Sequence, residues 1–384
     1  MTILVFNSGS SSIKFSVFEV GSNDPELLLD GELNGKTLAI SAKGRARAER
    51  SVEAKTLATQ IELVLDTVGS AGVPKANAVG YRVVHPGAKI QDHVCISEEV
   101  LQELEAAAEF APLHDPEAVK AIRETMKRMP DVPHFACFDT VFHRTMPEEA
   151  STYAIPAKYR ERGVKRYGFH GLSCESVIRQ MQRLGPVPSR MVIAHLGSGC
   201  SVTAVLDGAS VDTTMGLTPT GGVVMGTRPG DLDPGLMLYL LRQEQGADAV
   251  GDVEKMLNHE AGMVALTGLP NDMKGVRKAA AEGNAAAVLA LKVFTRSVRK
   301  AIGGFAWLLG GLDAIVFTGG IGEHDAATRA EVLAGTAVTL DSSSNNAHSD
   351  SVRLISASDS VTAVFAVPAQ EDLVIALHVK RMVG

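Results

Sequence analysis

The chain has 384 residues, of which 45% are hydrophobic and 21% are charged, and its formal net charge is −7 at pH 7. A length beyond about 250–300 residues favours two domains over one core. An acidic balance argues against a general nucleic-acid binder, because such proteins carry basic surfaces. The chain shows no apolar run of ~18–20 residues, no secretory signal and no CxxC pair among its four cysteines, so we expect a cytoplasmic protein that does not bind membranes.

Two segments, residues 3–17 and 191–205, align with each other without a gap. Each reads as an apolar strand, a tight Gly/Ser turn and a second strand. Glycine in such a turn permits left-handed backbone and the close approach of a ligand, and successive turn N–H groups can hold an anion. The repeat therefore predicts a duplicated fold that holds the phosphates of a nucleotide.

Between these hairpins the signals are uneven. Residues 21–60 are polar and give only weak patterns, whereas residues 78–84 predict a buried strand. Helical spacing of apolar residues follows, with a stop expected before Pro112, and Asp115-Pro116 suits the start of a second helix. A short apolar strand, residues 135–138, places Asp139 at its carboxyl end, which faces the ligand in open α/β sheets.

After the second hairpin, residues 284–309 predict a long helix that ends at a Gly-Gly pair. Residues 314–317 predict another buried strand, and residues 318–323 form a third Gly-rich turn, which could admit an adenosine past its bare backbone. Residues 341–351 are predicted to be a surface loop. Strands and helices alternate, so the fold class is α/β. None of the Gly-rich turns has the Walker A spacing.

Three cationic or titratable side chains stand out. Arg82 lies inside an apolar strand, where a buried charge needs a partner, either a ligand or an internal salt bridge. Arg228 lies in a loop rich in glycine and proline, and its forked guanidinium suits a carboxylate or a phosphate. His170 follows a phenylalanine and is compatible with either a core histidine or a functional one.

Oxygen donors suited to Mg²⁺ are also present. Mg²⁺ usually takes one or two carboxylates together with phosphates and water. Asp139 and Glu371 are the candidate carboxylates, and Asn7 in the first turn could add an oxygen or order a metal-bound water.

Motifs spread along nearly the whole chain resemble those of acetate kinases, in the acetate/propionate kinase family of the sugar kinase–Hsp70–actin superfamily. They are NSGSSSIK at 7–14, YRVVH at 81–85, FAPLH at 110–114, FDTVFH at 138–143, RYGFHG at 166–171, HLGSG at 195–199, MGLTP at 215–219, MGTRPGDLDP at 225–234, FTGGIGE at 317–323 and Glu371-Asp372.

The resemblance implies two duplicated ribonuclease H-like domains of the actin/Hsp70/sugar kinase type, with an interdomain cleft. Residues 1–140 and 373–384 would form the N-terminal domain, with the first phosphate motif and the magnesium site. Residues 141–372 would form the C-terminal domain, with the second phosphate motif, the adenosine motif and the surface of a homodimer.

The implied reaction is ATP + acetate ⇌ ADP + acetyl phosphate, by direct in-line phosphoryl transfer with Mg²⁺ or Mn²⁺. The implied catalytic residues are Asp139, His170, Arg228 and Arg82, and Asn7 and Glu371 would hold the metal. The carboxylate substrate would contact Arg82, Val84, Leu113, Phe169 and Pro219. The nucleotide and its phosphates would contact Ser10, Ser12, Lys14, His195, Gly197, Ser198, Gly199, Asp272, Met273, Lys274, Gly320, Ile321, Gly322 and His324.

Departures from the family pattern fall mainly on the nucleotide side. Ser198 and His324 each stand where the family usually has Asn, and Lys274 stands where it usually has Arg, which loses the guanidinium fork. Asp115 replaces another Asn, and Leu172-Ser173-Cys174 replaces Thr-Ser-His. Four alternatives stay open: a kinase for propionate or a longer acid, a relative that uses pyrophosphate, an actin- or Hsp70-like ATPase, and a nucleotide-binding relic without turnover.

Overall fold

The computed structural model describes residues 1–8, 12–21, 24–107, 115–244, 246 and 248–384. The predicted site residues Ser10 and Leu113, and the helix stop expected before Pro112, lie outside these ranges. Within them, no helix is both long and apolar enough to cross a membrane. The described part of the chain contains no disulfide bond.

The chain divides into two compact units. Unit 1 comprises Met1–Val141 and Gln370–Gly384, and unit 2 comprises Phe142–Ala369. The predicted boundary placed Glu371 and Asp372 in the C-terminal domain, whereas the structure places both with unit 1.

Unit 1 contains one mixed sheet with helices packed against it. Its strands are β1 (Thr2–Ser8), β2 (Ile13–Glu19), β3 (Glu26–Leu33), β4 (Thr37–Ala42), β5 (Ala48–Ser51), β6 (Ala78–Val83), β7 (Val94–Cys95) and β8 (His134–Phe138). Its helices are α1 (Leu57–Ser70), α2 (Glu98–Ala106), α3 (Asp115–Arg128) and the C-terminal helix Glu371–Val383. The strand order is β5-β4-β3-β2-β1-β6-β8-β7, and β1, β6 and β8 run parallel to one another.

Three of these strands, β3 to β5, lie in the polar region whose signals were weak. The prediction therefore missed them. The outermost, β5, is exposed along its whole length, so no alternation of buried and exposed residues marks it in the sequence.

The C-terminal helix belongs to unit 1 because it packs on β1 and β6. Gly80 in β6 makes this packing possible, since a β-carbon there would lie 2.7 Å from the Ile375 and Val379 side chains. The same contact brings Glu371 and Asp372, in the first turn of that helix, to the carboxyl ends of β1 and β6.

Unit 2 also contains one sheet. Its strands are β9 (Arg190–Leu196), β10 (Cys200–Leu206), β11 (Ala209–Thr213), β12 (Ala314–Thr318), β13 (Arg353–Leu354) and β14 (Ala363–Ala366). Its helices are α4 (Glu148–Ser151), α5 (Ala157–Arg160), α6 (Gly171–Leu184), α7 (Pro234–Gln243), α8 (Ala249–Lys255), α9 (Gly262–Thr267), α10 (Met273–Ala281), α11 (Ala285–Leu308), α12 (Gly319–His324), α13 (Ala326–Leu333) and α14 (Ser342–Asn346). A 3₁₀ helix spans Val141–Thr145, and a π-helical turn spans Met256–Glu260.

The two sheets repeat one topology. Unit 1 contains the order β3-β2-β1-β6-β8, and unit 2 contains β11-β10-β9-β12-β14. In each, an antiparallel three-stranded meander is followed by two strands parallel to its first strand. The predicted α/β class and the duplicated ribonuclease H-like fold are confirmed.

The gapless alignment of the two hairpins holds for the first strand only. In unit 1, Ser8 pairs with Ile13, whereas in unit 2 Leu196 pairs with Cys200, so the first turn is one residue longer. Because side chains alternate faces along a strand, a shift of one residue changes which side chains share a face. Asn7 therefore pairs with Lys14, and its counterpart His195 pairs with Ser201.

Other expectations in unit 2 have mixed outcomes. The long helix is confirmed as α11, and the strand that follows the Gly-Gly pair is confirmed as β12. The third Gly-rich segment is not a turn, since residues from Gly319 onward form α12. The predicted loop 341–351 contains a short helix, α14, because the Asp341 side chain accepts a hydrogen bond from the Ser344 N–H and caps it.

Candidate active site

In unit 1 the predicted polar residues meet at one edge of the sheet. Asn7 lies near the end of β1, Arg82 lies near the end of β6, and Asp139 follows β8 directly. These strands are parallel neighbours, so their carboxyl ends share an edge. The first turn of the C-terminal helix adds Glu371 at the same place.

Arg82 and Asp139 form a bidentate ion pair. The Arg82 Nε donates to Asp139 Oδ1 at 3.0 Å, and Nη2 donates to Oδ2 at 2.5 Å. The Asp139 side chain is 1% exposed and that of Arg82 is 18% exposed. The partly buried Arg82 thus has the internal partner that its position in an apolar strand requires.

Further oxygen atoms surround the Arg82 guanidinium. Its Nη1 donates to Asn7 Oδ1 at 3.3 Å, and its Nε lies 3.8 Å from Glu371 Oε2. Burial alone lowers the pKa of Arg82, but the charges of Asp139 and Glu371 outweigh it and raise that pKa above its ordinary value. Arg82 therefore stays cationic throughout the physiological range.

Asp372 is a member of this cluster to which sequence reasoning gave no role. Its Oδ1 accepts a hydrogen bond from the Asn7 Nδ2 at 2.8 Å, and its Oδ2 accepts one from the Ser16 Oγ at 2.5 Å. The Asn7 Nδ2 also donates to Glu371 Oε2 at 3.1 Å. Burial raises the pKa of Asp372, although the bonds from Ser16 and Asn7 oppose that rise. The only sequence signal for it was its position beside Glu371.

In unit 2, His170 has an unusual backbone. Its φ of 59° and ψ of 27° are left-handed, and it immediately precedes α6. Such a conformation is unfavourable for a residue with a side chain and concentrates at functional sites. The His170 Nδ1 lies 3.0 Å from the Ser201 Oγ, so its ring is held on one side by β10.

His170 also stacks on His195. The ring centroids are 4.1 Å apart and the rings are inclined by 22°. The His195 Nδ1 in turn lies 2.8 Å from the Ser173 Oγ, one helical turn beyond His170. The structure thus brings together two histidines that the prediction assigned to different roles, one catalytic and one nucleotide-binding.

The second Gly-rich turn lies against both His170 and Arg228. A β-carbon at Gly199 would lie 3.2 Å from the His170 Nε2 and 3.2 Å from the Arg228 Nη2. The Arg228 Nη1 donates to the Pro219 carbonyl oxygen at 2.6 Å, which sets the direction of the guanidinium. A cation and an imidazole nitrogen thus approach a turn with no side chain at that position, an arrangement suited to an anion.

Two other segments of unit 2 carry predicted nucleotide residues. Gly319, with φ of +76°, lets α12 begin against β9, because a β-carbon there would lie 2.8 Å from the Leu196 carbonyl oxygen and 3.2 Å from His195 Cε1. Gly320 has open space beside it, since a β-carbon there would have no atom within 4 Å. Asp272 caps α10 by accepting bonds from the N–H groups of Lys274 and Gly275.

The residues predicted to contact the methyl group of the acid are divided between the two units. Val84 in unit 1 is buried, and so is Phe169 in unit 2, whereas Pro219 in unit 2 is half-buried. Their joint role stays a prediction. So do the roles of Ser12, which precedes β2, and Lys14, whose side chain is exposed.

Comparison with known proteins gives one consistent result. The Acetokinase family matches residues 2–377. The chain is 38% identical over 403 residues to an acetate kinase of Halothermothrix orenii, with 100% of both chains covered. It is 41% identical over 383 residues to one of Arthrobacter sp. (strain FB24), with 98% and 97% covered.

Solved structures agree. The structure of Porphyromonas gingivalis acetate kinase has a TM-score of 0.87 at 31% identity, with 100% of both chains covered. A propionate kinase from Francisella tularensis has a TM-score of 0.89 at 34% identity, with 98% of both chains covered. On the family match and these full-length relatives, the chain belongs to the Acetokinase family.

Proposed function

We propose that this chain catalyses ATP + acetate ⇌ ADP + acetyl phosphate by direct in-line phosphoryl transfer. The observation that carries the proposal is the approach of Arg228 and His170 to the bare Gly199 of the second Gly-rich turn. A phosphoryl group at that turn would meet a guanidinium and an imidazole, which stabilise the charge on its oxygen atoms. Family membership supplies the reaction class, a kinase with a carboxyl acceptor.

The chemistry needs charge stabilisation more than a general base. A carboxylate is already ionised and nucleophilic at neutral pH. Two anions must approach each other. In unit 2, Arg228 would offset their repulsion and His170 would donate to the transferred group, and the family resemblance assigns Arg82 of unit 1 a charge-offsetting role as well. The Asp139 carboxylate and the Pro219 carbonyl orient one guanidinium each, so little reorganisation is needed at the moment of transfer.

The oxygen atoms of unit 1 support the proposal of a divalent cation. Carboxylate oxygens of Asp139 and Glu371 and the amide oxygen of Asn7 lie around one guanidinium, and Mg²⁺ or Mn²⁺ prefers such oxygen ligands. Asn7 and Glu371 would hold the ion, with Asp139 close to it. When bound, the ion would neutralise charge on the phosphate oxygens.

We assign the phosphoryl donor as ATP rather than pyrophosphate. The uncovered backbone at Gly320 supports an adenosine there, since a β-carbon would meet no atom within 4 Å. Ile321, Gly322, His324 and the segment Asp272–Lys274 would be its neighbours. Ser10, Ser12 and Lys14 of the first phosphate motif, and His195, Gly197, Ser198 and Gly199 of the second, would bind the phosphates.

The acceptor is assigned as acetate, with propionate as the second candidate. One of the solved structures of similar fold is named a propionate kinase. An additional methylene in an apolar pocket changes specificity by only about 1–3 kcal/mol, so Val84, Leu113, Phe169 and Pro219 would discriminate modestly between the two acids.

One assay separates these alternatives. The protein is incubated with Mg-ATP and acetate, propionate or butyrate, and the acyl phosphate is trapped with hydroxylamine. We expect the acetyl hydroxamate to form fastest. No hydroxamate from any acid, with ATP or with pyrophosphate, would exclude the proposal and leave the ATPase or the inactive relic.

Arg228→Ala tests the assigned site directly. Removal of a charged donor to a transition state lowers kcat by about 10²–10³, and we expect that loss with a normal melting temperature. Turnover near that of the unaltered chain would remove Arg228 from the mechanism.

The chain is also proposed to be a cytoplasmic homodimer that associates through unit 2. Large apolar side chains are exposed on α7 and α11 there: Leu238 is 55% exposed, Tyr239 is 56% exposed and Trp307 is 90% exposed. Contiguous exposed apolar patches mark association surfaces, and Leu238 and Tyr239 are adjacent on α7. Sedimentation velocity should show a dimer that Trp307→Glu weakens, whereas Leu184→Glu, also at an exposed position of unit 2, should not.

A further inference from the structure

Ser198, in the second Gly-rich turn, has a side-chain partner to which no role has been assigned. The Asn271 Nδ2 donates to the Ser198 Oγ at 2.9 Å, and both residues are exposed to solvent. Asn271 immediately precedes Asp272, the residue that caps α10. The pair therefore joins the phosphate turn to the segment 272–274, which we assign to the nucleotide.

The position of the Asn271 side chain is set by its neighbours. It lies directly over Gly226, where a β-carbon would be 2.1 Å from Asn271 Oδ1. The Gly226 N–H donates to the Ser198 carbonyl oxygen at 3.2 Å, and the Gly226 carbonyl accepts from the Val264 N–H at 3.0 Å. Glycine at position 226 thus leaves space for the Asn271 side-chain amide. The hydrogen bond from the Gly226 N–H to Ser198 also holds this backbone against the second Gly-rich turn.

The direction of this hydrogen bond decides what Ser198 offers to a ligand. A hydroxyl has one proton to donate and two lone pairs that accept. Since Asn271 donates to Ser198, the bond uses a lone pair and leaves the hydroxyl proton for another partner. Hydrogen bonds in series also strengthen one another.

We propose that Asn271 is a positioning residue for the nucleotide phosphates: it turns Ser198 into a hydrogen-bond donor in the second turn, beside Gly199, where Arg228 and His170 approach. This inference rests on the proposed function, because it takes the anion at that turn to be a phosphate of ATP or ADP. Asn271 thereby determines phosphate affinity without contributing to the binding of the adenosine.

Two substitutions at Asn271 distinguish a reversed hydrogen bond to Ser198 from a missing one. Asn271→Asp has nearly the same shape but can only accept, so it takes the Ser198 proton and adds a negative charge beside the turn. Asn271→Ala removes the bond and leaves the serine hydroxyl free to rotate. We expect Asp to be the more damaging replacement.

Calorimetric titration with Mg-ADP and with adenosine measures the effect without turnover. We expect Asn271→Asp to weaken ADP binding by ~10–100-fold, the range of a hydrogen bond to a charged group. We expect Asn271→Ala to weaken it by ~3–10-fold, the range of a hydrogen bond between neutral groups. Adenosine, which has no phosphate, should bind each variant as it binds the unaltered chain. In a Ser198→Ala background, Asn271→Ala should cause no additional loss, because its partner is already absent.

Asn284→Asp is the matched control. It makes the same change of charge in unit 2 at the N-cap of α11, where the Asn284 Oδ1 accepts a bond from the Ala287 N–H and an aspartate caps equally well. ADP affinity should not change in this variant. If Asn284→Asp lost as much ADP affinity as Asn271→Asp, the added negative charge alone would explain both losses, and the proposal would be overturned.

Other outcomes would also overturn it. Equal ADP affinity of Asn271→Asp and the unaltered chain, with acetyl phosphate formation intact, would refute the role of Asn271 and leave the proposed function standing. Equal losses for ADP and adenosine would show that Asn271 acts on the segment 272–274 and not on phosphate. Failure of the unaltered chain to bind ADP would refute both proposals.

Discussion

Gly199→Ala is a sharp test of the unit 2 site, because it adds a single methyl group at the point where His170 and Arg228 approach. The methyl carbon would lie 3.2 Å from a nitrogen atom of each side chain, which is closer than ordinary van der Waals contact. The backbone at Gly199 is not left-handed, so alanine meets no strain from its φ angle. Only the space beside the two nitrogens changes.

The size of the effect follows from that geometry. To restore normal contacts, His170 and Arg228 must each move by a few tenths of an ångström. Misplacement by 1 Å costs about 100-fold in rate, and the methyl group also occupies space that a phosphoryl group needs. We therefore expect kcat to fall by about 10–100-fold.

Stability should change far less than activity. Alanine reduces the entropy of the unfolded chain, which is worth about 0.4–1 kcal/mol, and crowding costs about 1–3 kcal/mol. The net loss of about 1–2 kcal/mol corresponds to a decrease in melting temperature of roughly 2–8 °C for a unit of this size. The folded protein should thus be intact at the temperature of the assay.

The assay measures kcat and KM by hydroxamate formation and the melting temperature by calorimetry. Gly69→Ala is the control, since a β-carbon there meets nothing within 4 Å. It should leave the kinetic constants unchanged. Unaltered kcat in Gly199→Ala would refute the placement of the reacting phosphoryl group at this turn.

Three further predictions concern charge. Asp139→Asn should lower kcat by about 10²–10³. It should also reduce the free energy of unfolding, measured with urea, by about 3 kcal/mol, because it breaks the buried ion pair with Arg82. Wild-type turnover in this variant would contradict the assignment of Asp139 as a catalytic residue. Lys274→Arg should lower the KM for ATP by restoring a guanidinium fork, and an unchanged KM would show that the lysine does not limit binding. Burial lowers the pKa of His143 to about 4, so between pH 6.5 and pH 4 the unfolded chain binds more protons and stability decreases as the pH falls. From pH 7 to pH 5 the free energy of unfolding should decrease by about 2 kcal/mol because of His143. Urea unfolding of His143→Gln at pH 7 and at pH 5 should not show this decrease.

Much of the fold could be predicted because its signals are local. Apolar strands such as β6, β8 and β12 and the long helix α11 are marked by runs and periods of buried residues. The repeated hairpin was visible as self-similarity. The edge strand β5 was missed because its residues are exposed, and α12 was taken for a turn because its first residues are glycines.

The candidate site, like the fold, could be predicted from the sequence only in part. Residue type and motif order alone pointed to Arg82, Asp139, His170 and Arg228, since a buried charge or a forked cation in a rigid loop has few explanations. The partners of these residues could not be predicted. The contact of Asn7 with Glu371 joins residues 364 positions apart, and such a pair leaves no periodic signal in the chain.

The sequence by itself determined the α/β class, the duplication and the identity of the charged residues, because hydrophobic period, glycine content and charge are properties of short segments. Tertiary structure decided the one-residue difference between the two turns, the placement of Glu371 and Asp372 in unit 1, and the pairing of Asn271 with Ser198. Each of these depends on which distant segments pack together, and packing is set by the shapes of whole elements, such as the C-terminal helix against Gly80.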